Sequence, residues 1–228
     1  MPNDKITAVG ANIAEKAAMI WNVADMLRGP FKPHEYGLVI LPMTVVKRFH
    51  DCLLPTRQAV LDKYEAVRHL AVKDGFLREA SGYAFYNTSP FTFETLRADA
   101  ENIEDNFKDY INGFSDNVQD ILARMKFADQ IERLSDPDAP LLYQVVCDFC
   151  KPQADMSPDK IKAVDMGYIF ENLIQRFSES YDEDAGAHFT SRDIVYLMTD
   201  LLIQADPHVF DGDRITKTVY DQTMGTSQ

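Results

Sequence analysis

Gly186-Ala187-His188-Phe189-Thr190-Ser191-Arg192 opens an apolar-periodic run, and Ile215-Thr216-Lys217-Thr218-Val219-Tyr220-Asp221 then reads as a strand. Gln222-Thr223-Met224-Gly225-Thr226-Ser227-Gln228 follows it. A strand closed by an acid and followed by a small-residue loop is how doubly wound sheets meet nucleotide-like ligands. Helical periodicity dominates upstream. The expected fold class is therefore mainly α: a helical, bundle-like domain over residues 1–155, then the truncated start of a Rossmann-like α/β domain over 156–228. With the chain ending inside the loop, it looks like the front part of a nucleoside-cofactor enzyme.

Working backwards, Thr190 or Ser191 caps a helix from about Arg192 to Gln204. Ser157-Pro158 reads as a helix start, of one helix or a helix pair running to about Tyr181. Further helices are expected at about 92–99, 101–113, 116–127 and 139–150, with Asp136-Pro137-Asp138-Ala139-Pro140 as a turn. Residues 74–90, with Gly75, Ser81-Gly82 and Asn87-Thr88-Ser89-Pro90, read as an irregular loop with a short hairpin. Pro42 and Pro55 are expected to break the apolar stretch 34–70 into two or three helices. Ile13, Ala17, Ile20, Val23, Ala24 and Leu27 recur at helical steps, stopped by Gly29-Pro30.

The 228 residues carry a formal charge of -13, which argues against a direct electrostatic grip on a nucleic-acid backbone. Residues 1–100 hold 12 Lys+Arg against 11 Asp+Glu, and residues 101–228 hold 11 against 25, so the excess acid lies in the second part. No run reaches the roughly 20 apolar residues that span a bilayer, and the N-terminus lacks a signal-peptide layout. A cytoplasmic protein is expected, without a membrane partner.

Gly186, Ala187, His188, Phe189, Thr190, Ser191 and Arg192 form one candidate site, because exposed amides and the dipole at a helix start attract a carboxylate. Asp221, Gly225, Thr226 and Ser227 form the other, where a backbone can turn close to a ligand. Taken singly, a capping turn and an ordinary turn explain them as well. Cys147 and Cys150 have metal-like spacing, but a structural zinc needs four ligands, so both read as buried helix cysteines. Asp182-x-Asp184 has Ala187 where a calcium loop needs glycine. His50, His69 and His208 lie near no nucleophile in sequence. No catalytic residue and no metal ligand is assigned.

Five segments in order resemble the modification (methyltransferase) subunit of type I restriction–modification systems. They are Ile20–Gly29, His34 through Asp51, Gly167–Ile174, Gly186–Arg192 and Val219–Ser227. Ser191 stands where that family commonly has proline, and Gln222 and Met224 stand where it has proline and a small residue. The resemblance implies methyl transfer from S-adenosylmethionine to adenine N6, on a base flipped out of the duplex. It implies that Gly186–Arg192 holds the methionine end of the cofactor, Gly225–Ser227 lines its other side, and Asp221 lies near it. It also implies a specificity subunit, a restriction subunit and double-stranded DNA as partners, the DNA reached mainly through the complex. The family's Asn- or Asp-Pro-Pro-aromatic catalytic segment is not found in these residues, so the chain alone is expected to be inert. A helical interaction module and a dehydrogenase-like enzyme stand as alternatives; Gly225 as the single glycine of the loop speaks against the second.

Overall fold

The computed structural model describes residues 2–180, 190, 192–206, 208–211, 218, 220 and 222. Two compact units divide the chain, 1–177 and 178–228. Among the described residues the regular structure is helical, with isolated bridges at Arg28–Phe31 and Asn87–Phe114.

The first unit opens with α1 (Pro2–Met26) and α2 (Tyr36–Leu53), whose apolar faces pack on each other. Ala17, Ile20, Val23, Ala24 and Leu27, the positions read from the periodicity, are buried. Pro42 lies inside α2 instead of ending it. The carbonyl that loses its partner there is that of Leu38, a residue 44% exposed, so solvent can take the bond. At Pro55 the expected break occurs, as the 3-10 turn Leu54–Thr56 before α3 (Arg57–Val67).

α4 (Asp74–Ser81) occupies part of the stretch read as a loop. The glycines misled because Gly82, at φ 73°, is the left-handed cap that ends this helix, donating its amide to the Arg78 carbonyl. Leu77 buries its apolar face, and Arg78 pairs with Asp74 one turn back at 2.8 Å.

Short helices complete the body: α5 (Phe93–Ala98), α6 (Ile103–Asn112), α7 (Asp116–Arg124), α8 (Phe127–Leu134) and α9 (Leu142–Phe149). The helix expected over 116–127 ends at Arg124, and the chain turns through Lys126, in the left-handed region at φ 52°, into α8, a helix that the sequence reading did not include. That conformation costs a non-glycine residue about 1 kcal/mol, offset by the full burial of Phe127 immediately after it. Phe93, Phe107, Phe127 and Phe149 form the centre, with Phe107 edge-on to Phe127 at 6.2 Å. Arg133 of α8 grips Glu35, ahead of α2, through two bonds of 3.0 and 3.2 Å and lies 4.2 Å over the Phe31 ring. Its guanidinium holds the Glu35 carboxyl down at about 2.

Ser157-Pro158 begins a single turn and not the long helix; α10 (Ala163–Ser180) starts five residues later. Met156, Ile161, Met166, Ile169, Leu173 and Phe177 are buried, and Phe177 meets Trp21 of α1 at 5.2 Å. The first compact unit therefore runs past the 155/156 division read from the sequence. In the second unit, α11 (Arg192–Ala205) begins at the expected residue. Of the expected strand 215–220, only Thr218 and Tyr220 are described, and neither carries regular structure.

Gly113 ends α6 where the loop 86–89 crosses it, and Thr88 donates its amide to the Gly113 carbonyl at 2.8 Å. A Cβ on Gly113 would stand 2.4 Å from Asn87 Oδ1 and 2.6 Å from the Ser89 amide nitrogen. Gly113→Ala is expected to cost about 1–3 kcal/mol in urea unfolding, as overpacking against backbone does. An unchanged midpoint would contradict this crossing.

Candidate functional site

The charged residues of α2 lie among its apolar ones. Lys47 and Asp51, one turn apart, are both buried and paired at 2.5 Å. Burying two charges is costly unless the remaining lone pairs and protons are also satisfied. Here the second carboxylate oxygen accepts the Met156 amide at 2.8 Å, and the Lys47 ammonium lies 5.6 Å over the Phe93 ring. Burial raises the Asp51 carboxyl, while Lys47 and the Met156 amide pull it back.

Arg48, the neighbouring residue, donates to the carbonyl of Met156 and to that of Ile161, the latter at 2.9 Å. Lys16 of α1 donates to the carbonyls of Gln153 at 3.2 Å and Asp155 at 2.5 Å. Burial lowers the Lys16 ammonium from its ordinary value. Two cations, Lys16 and Arg48, and the Asp51 carboxylate thus hold the backbone of 153–161, the segment that leads into α10, and Lys47 holds Asp51.

His50, on the same helix, is buried with Nδ1 3.1 Å from the Tyr110 hydroxyl. Its Nε2 has no hydrogen-bond partner, and Glu94 Oε2 stands 3.9 Å away. Burial, with the nearby Lys47 charge, pulls the imidazole down to about 4. The cavity beside it, lined by His50, Arg57, Asn87, Ser89 and Tyr110, is about 20 Å³, room for a water and nothing larger. This arrangement holds a neutral histidine in place; it has no space for a substrate.

Of the site residues read from the sequence, the structure places Thr190, which is exposed, and the backbone of Arg192 at the start of α11. Gly186, Ala187, His188, Phe189, Ser191, Asp221, Gly225, Thr226 and Ser227 lie outside the described residues, as does the Asp182-x-Asp184 pair. Cys147 and Cys150 are free thiols at the end of α9, and Cys150 donates to the Phe93 carbonyl at 3.3 Å. Burial pushes the Cys150 thiol up to about 11. Among the described residues no three His, Cys, Asp or Glu side chains come together as a metal site, and no helix is long and apolar enough to cross a membrane.

The HsdM N-terminal domain family matches residues 16–149, more than half of the chain. The chain belongs to that family. No curated protein matches the sequence. The family is the N-terminal domain of type I restriction–modification methyltransferase subunits, in agreement with the resemblance drawn from the five segments. The HsdM match includes Lys16, Lys47, Arg48 and Asp51, whereas the backbone they hold lies just beyond its end. Sequence reasoning quoted Lys47 to Asp51 only as a resemblance and missed this clamp. Its signal was a Lys and an Asp one turn apart beside buried Val46 and Met43, where a solvated charge pair would not sit.

His50 supplies a pH test. Its folded value of about 4 lies below the ordinary 6.5, so the folded chain refuses a proton that the unfolded chain accepts. The His50 contribution is complete above pH 6.5 and is lost as the pH falls toward 4. Between pH 7 and pH 5 the chain should lose about 2 kcal/mol more stability than a His50→Gln variant. Parallel stability profiles would contradict the burial of a neutral imidazole.

Proposed function

We propose that the chain is the N-terminal part of a DNA adenine-N6 methyltransferase subunit acting within a type I restriction–modification complex. The observation that carries this reading is the HsdM match over residues 16–149. It is supported by the start of α11 at Arg192, the last residue of the segment expected to meet the cofactor.

On this reading residues 1–155 are the helical domain and 156–228 begin the methyltransferase domain, with α10 as its approach helix. Gly186, Ala187, His188, Phe189, Thr190, Ser191 and Arg192 would hold the methionine end of S-adenosylmethionine. Asp221, Gly225, Thr226 and Ser227 would line its other side. A helix of fourteen residues beginning at Arg192 fits this role, since its free amides and positive end suit a carboxylate. When bound, the cofactor supplies an electrophilic sulfonium methyl. The residues named here bind and orient it; none of them accepts the amino protons of adenine, and residues 1–228 contain no Asn- or Asp-Pro-Pro-aromatic segment. By itself, the chain is therefore proposed to transfer no methyl groups.

A specificity subunit would read the DNA sequence, and a restriction subunit would complete the complex, in the cytoplasm. The charge of -13 supports this division, because duplex contacts are then made chiefly by a partner. A second reading is a helical interaction module that binds no cofactor. The end of the family match at residue 149, ahead of the cofactor segment, is what favours it.

The test is methyl transfer by the full product of the reading frame, assembled with its specificity subunit, on duplex DNA. N6-methyladenine is expected, with Asp221→Ala weakening cofactor binding by about tenfold or more at unchanged melting temperature, the loss of one charge-assisted contact. No methyl incorporation, or methylation of cytosine, would contradict the proposal. Full transfer without cofactor dependence on residues 186–192 and 221–227 would contradict the assigned site.

A further inference from the structure

α6, α7 and α8 enclose an open groove of about 300 Å³. The left-handed turn at Lys126 folds α8 back beside α7, and the trough runs between these helices and α6. Its floor is apolar: Ile111, Leu122, Ala123, Phe127, Ala128 and Ile131. Its rim is charged. Lys108 pairs with Glu104 at 2.7 Å, and Glu132 and Asp105 also act on it electrostatically, so one cation stands among three carboxylates. Residues 101–138, which carry the groove, hold ten acids against four basic residues, a net of -6.

The occupant follows from this chemistry. Duplex DNA and anionic lipid surfaces are repelled by such a rim. A second copy of the chain brings a further charge of -13 and is disfavoured for the same reason. The volume lies at the lower end for small-molecule sites, roughly 300–1,000 Å³. An open apolar trough of that size suits a few large side chains projected at helical spacing, and the surplus of acids on the helices around it selects a cation-bearing partner. We propose that the groove between α6, α7 and α8 docks a basic amphipathic helix of another protein, its apolar side chains on Ile111, Ala123 and Ala128 and its Lys or Arg residues against Glu104 and Glu132.

The probe is a two-heptad (~14-residue) helical peptide with leucines at one face and lysines elsewhere, titrated into the methyl-labelled chain. Shifts are expected at the Ile111, Ala123, Ala128 and Ile131 methyls, with affinity falling as salt rises. Ala128→Arg, at an exposed position, should weaken binding at least about tenfold by filling and recharging the floor. Should that variant melt early, Ala123→Arg, also exposed, gives the same reading. Glu132→Lys should weaken binding several-fold more than Glu65→Lys, an equal charge change on exposed α3. Equal binding by a peptide with glutamates for lysines would overturn the proposal. So would equal losses from Glu132→Lys and Glu65→Lys, shifts confined to other methyls, no binding, or a self-associated chain dissociated by Ala128→Arg.

Discussion

The buried Asp51 carboxylate is the constraint from which much of the first unit follows. It cannot stay charged and buried without full satisfaction, and it obtains this from Lys47 and from the amide of Met156, 105 residues later. Arg48 then takes the Met156 carbonyl, so both polar backbone groups of Met156 are bound by α2. Lys16 adds α1 to the same task. Hydrophobic contact alone could pack Met156 and Ile161 in several registers. Paired charges accept one, since an unpaired buried ion costs about 3–5 kcal/mol.

That register matters because 153–161 is the last stretch before α10. The direction of α10 is set where Ile161 and Met166 meet the helical body, and Phe177 fixes it again against Trp21. The start of α10 is therefore held by a clamp built on Lys16 of α1 and on Lys47, Arg48 and Asp51 of α2, residues that all lie within the HsdM match. The acidic groove of α6–α8 is built from different elements and from the part of the chain with the largest excess of acid. Anchoring the following segment and receiving a basic partner can therefore vary independently.

The sequence was most legible where a single physical rule decided the outcome. The heptad-like spacing of Ile13 to Leu27 identified α1 and its buried face, and the Thr190-Ser191-Arg192 cap located the start of α11. It misled where local and tertiary effects compete. Pro42 argued for a break, but its lost hydrogen bond falls at a carbonyl that solvent can reach. Gly82 argued for a loop, but it is the cap of a helix whose only strong apolar contact is Leu77. α8 was not read at all, since the left-handed turn at Lys126 that starts it falls on a residue type with no turn signal. The clamp pairs residues more than 100 positions apart and is invisible to periodicity. The cofactor segments were read from motif order, and the described residues touch them only at Thr190 and Arg192.

The most direct test of the clamp is native-state hydrogen exchange at the Met156 amide, in a segment without regular secondary structure. If Asp51 holds this amide within the buried ion pair, it should exchange only through global unfolding, as slowly as the core amides of α2. Exchange at the rate of an ordinary exposed loop would show that 153–161 opens independently, and the account of a charge-built anchor for α10 would fail.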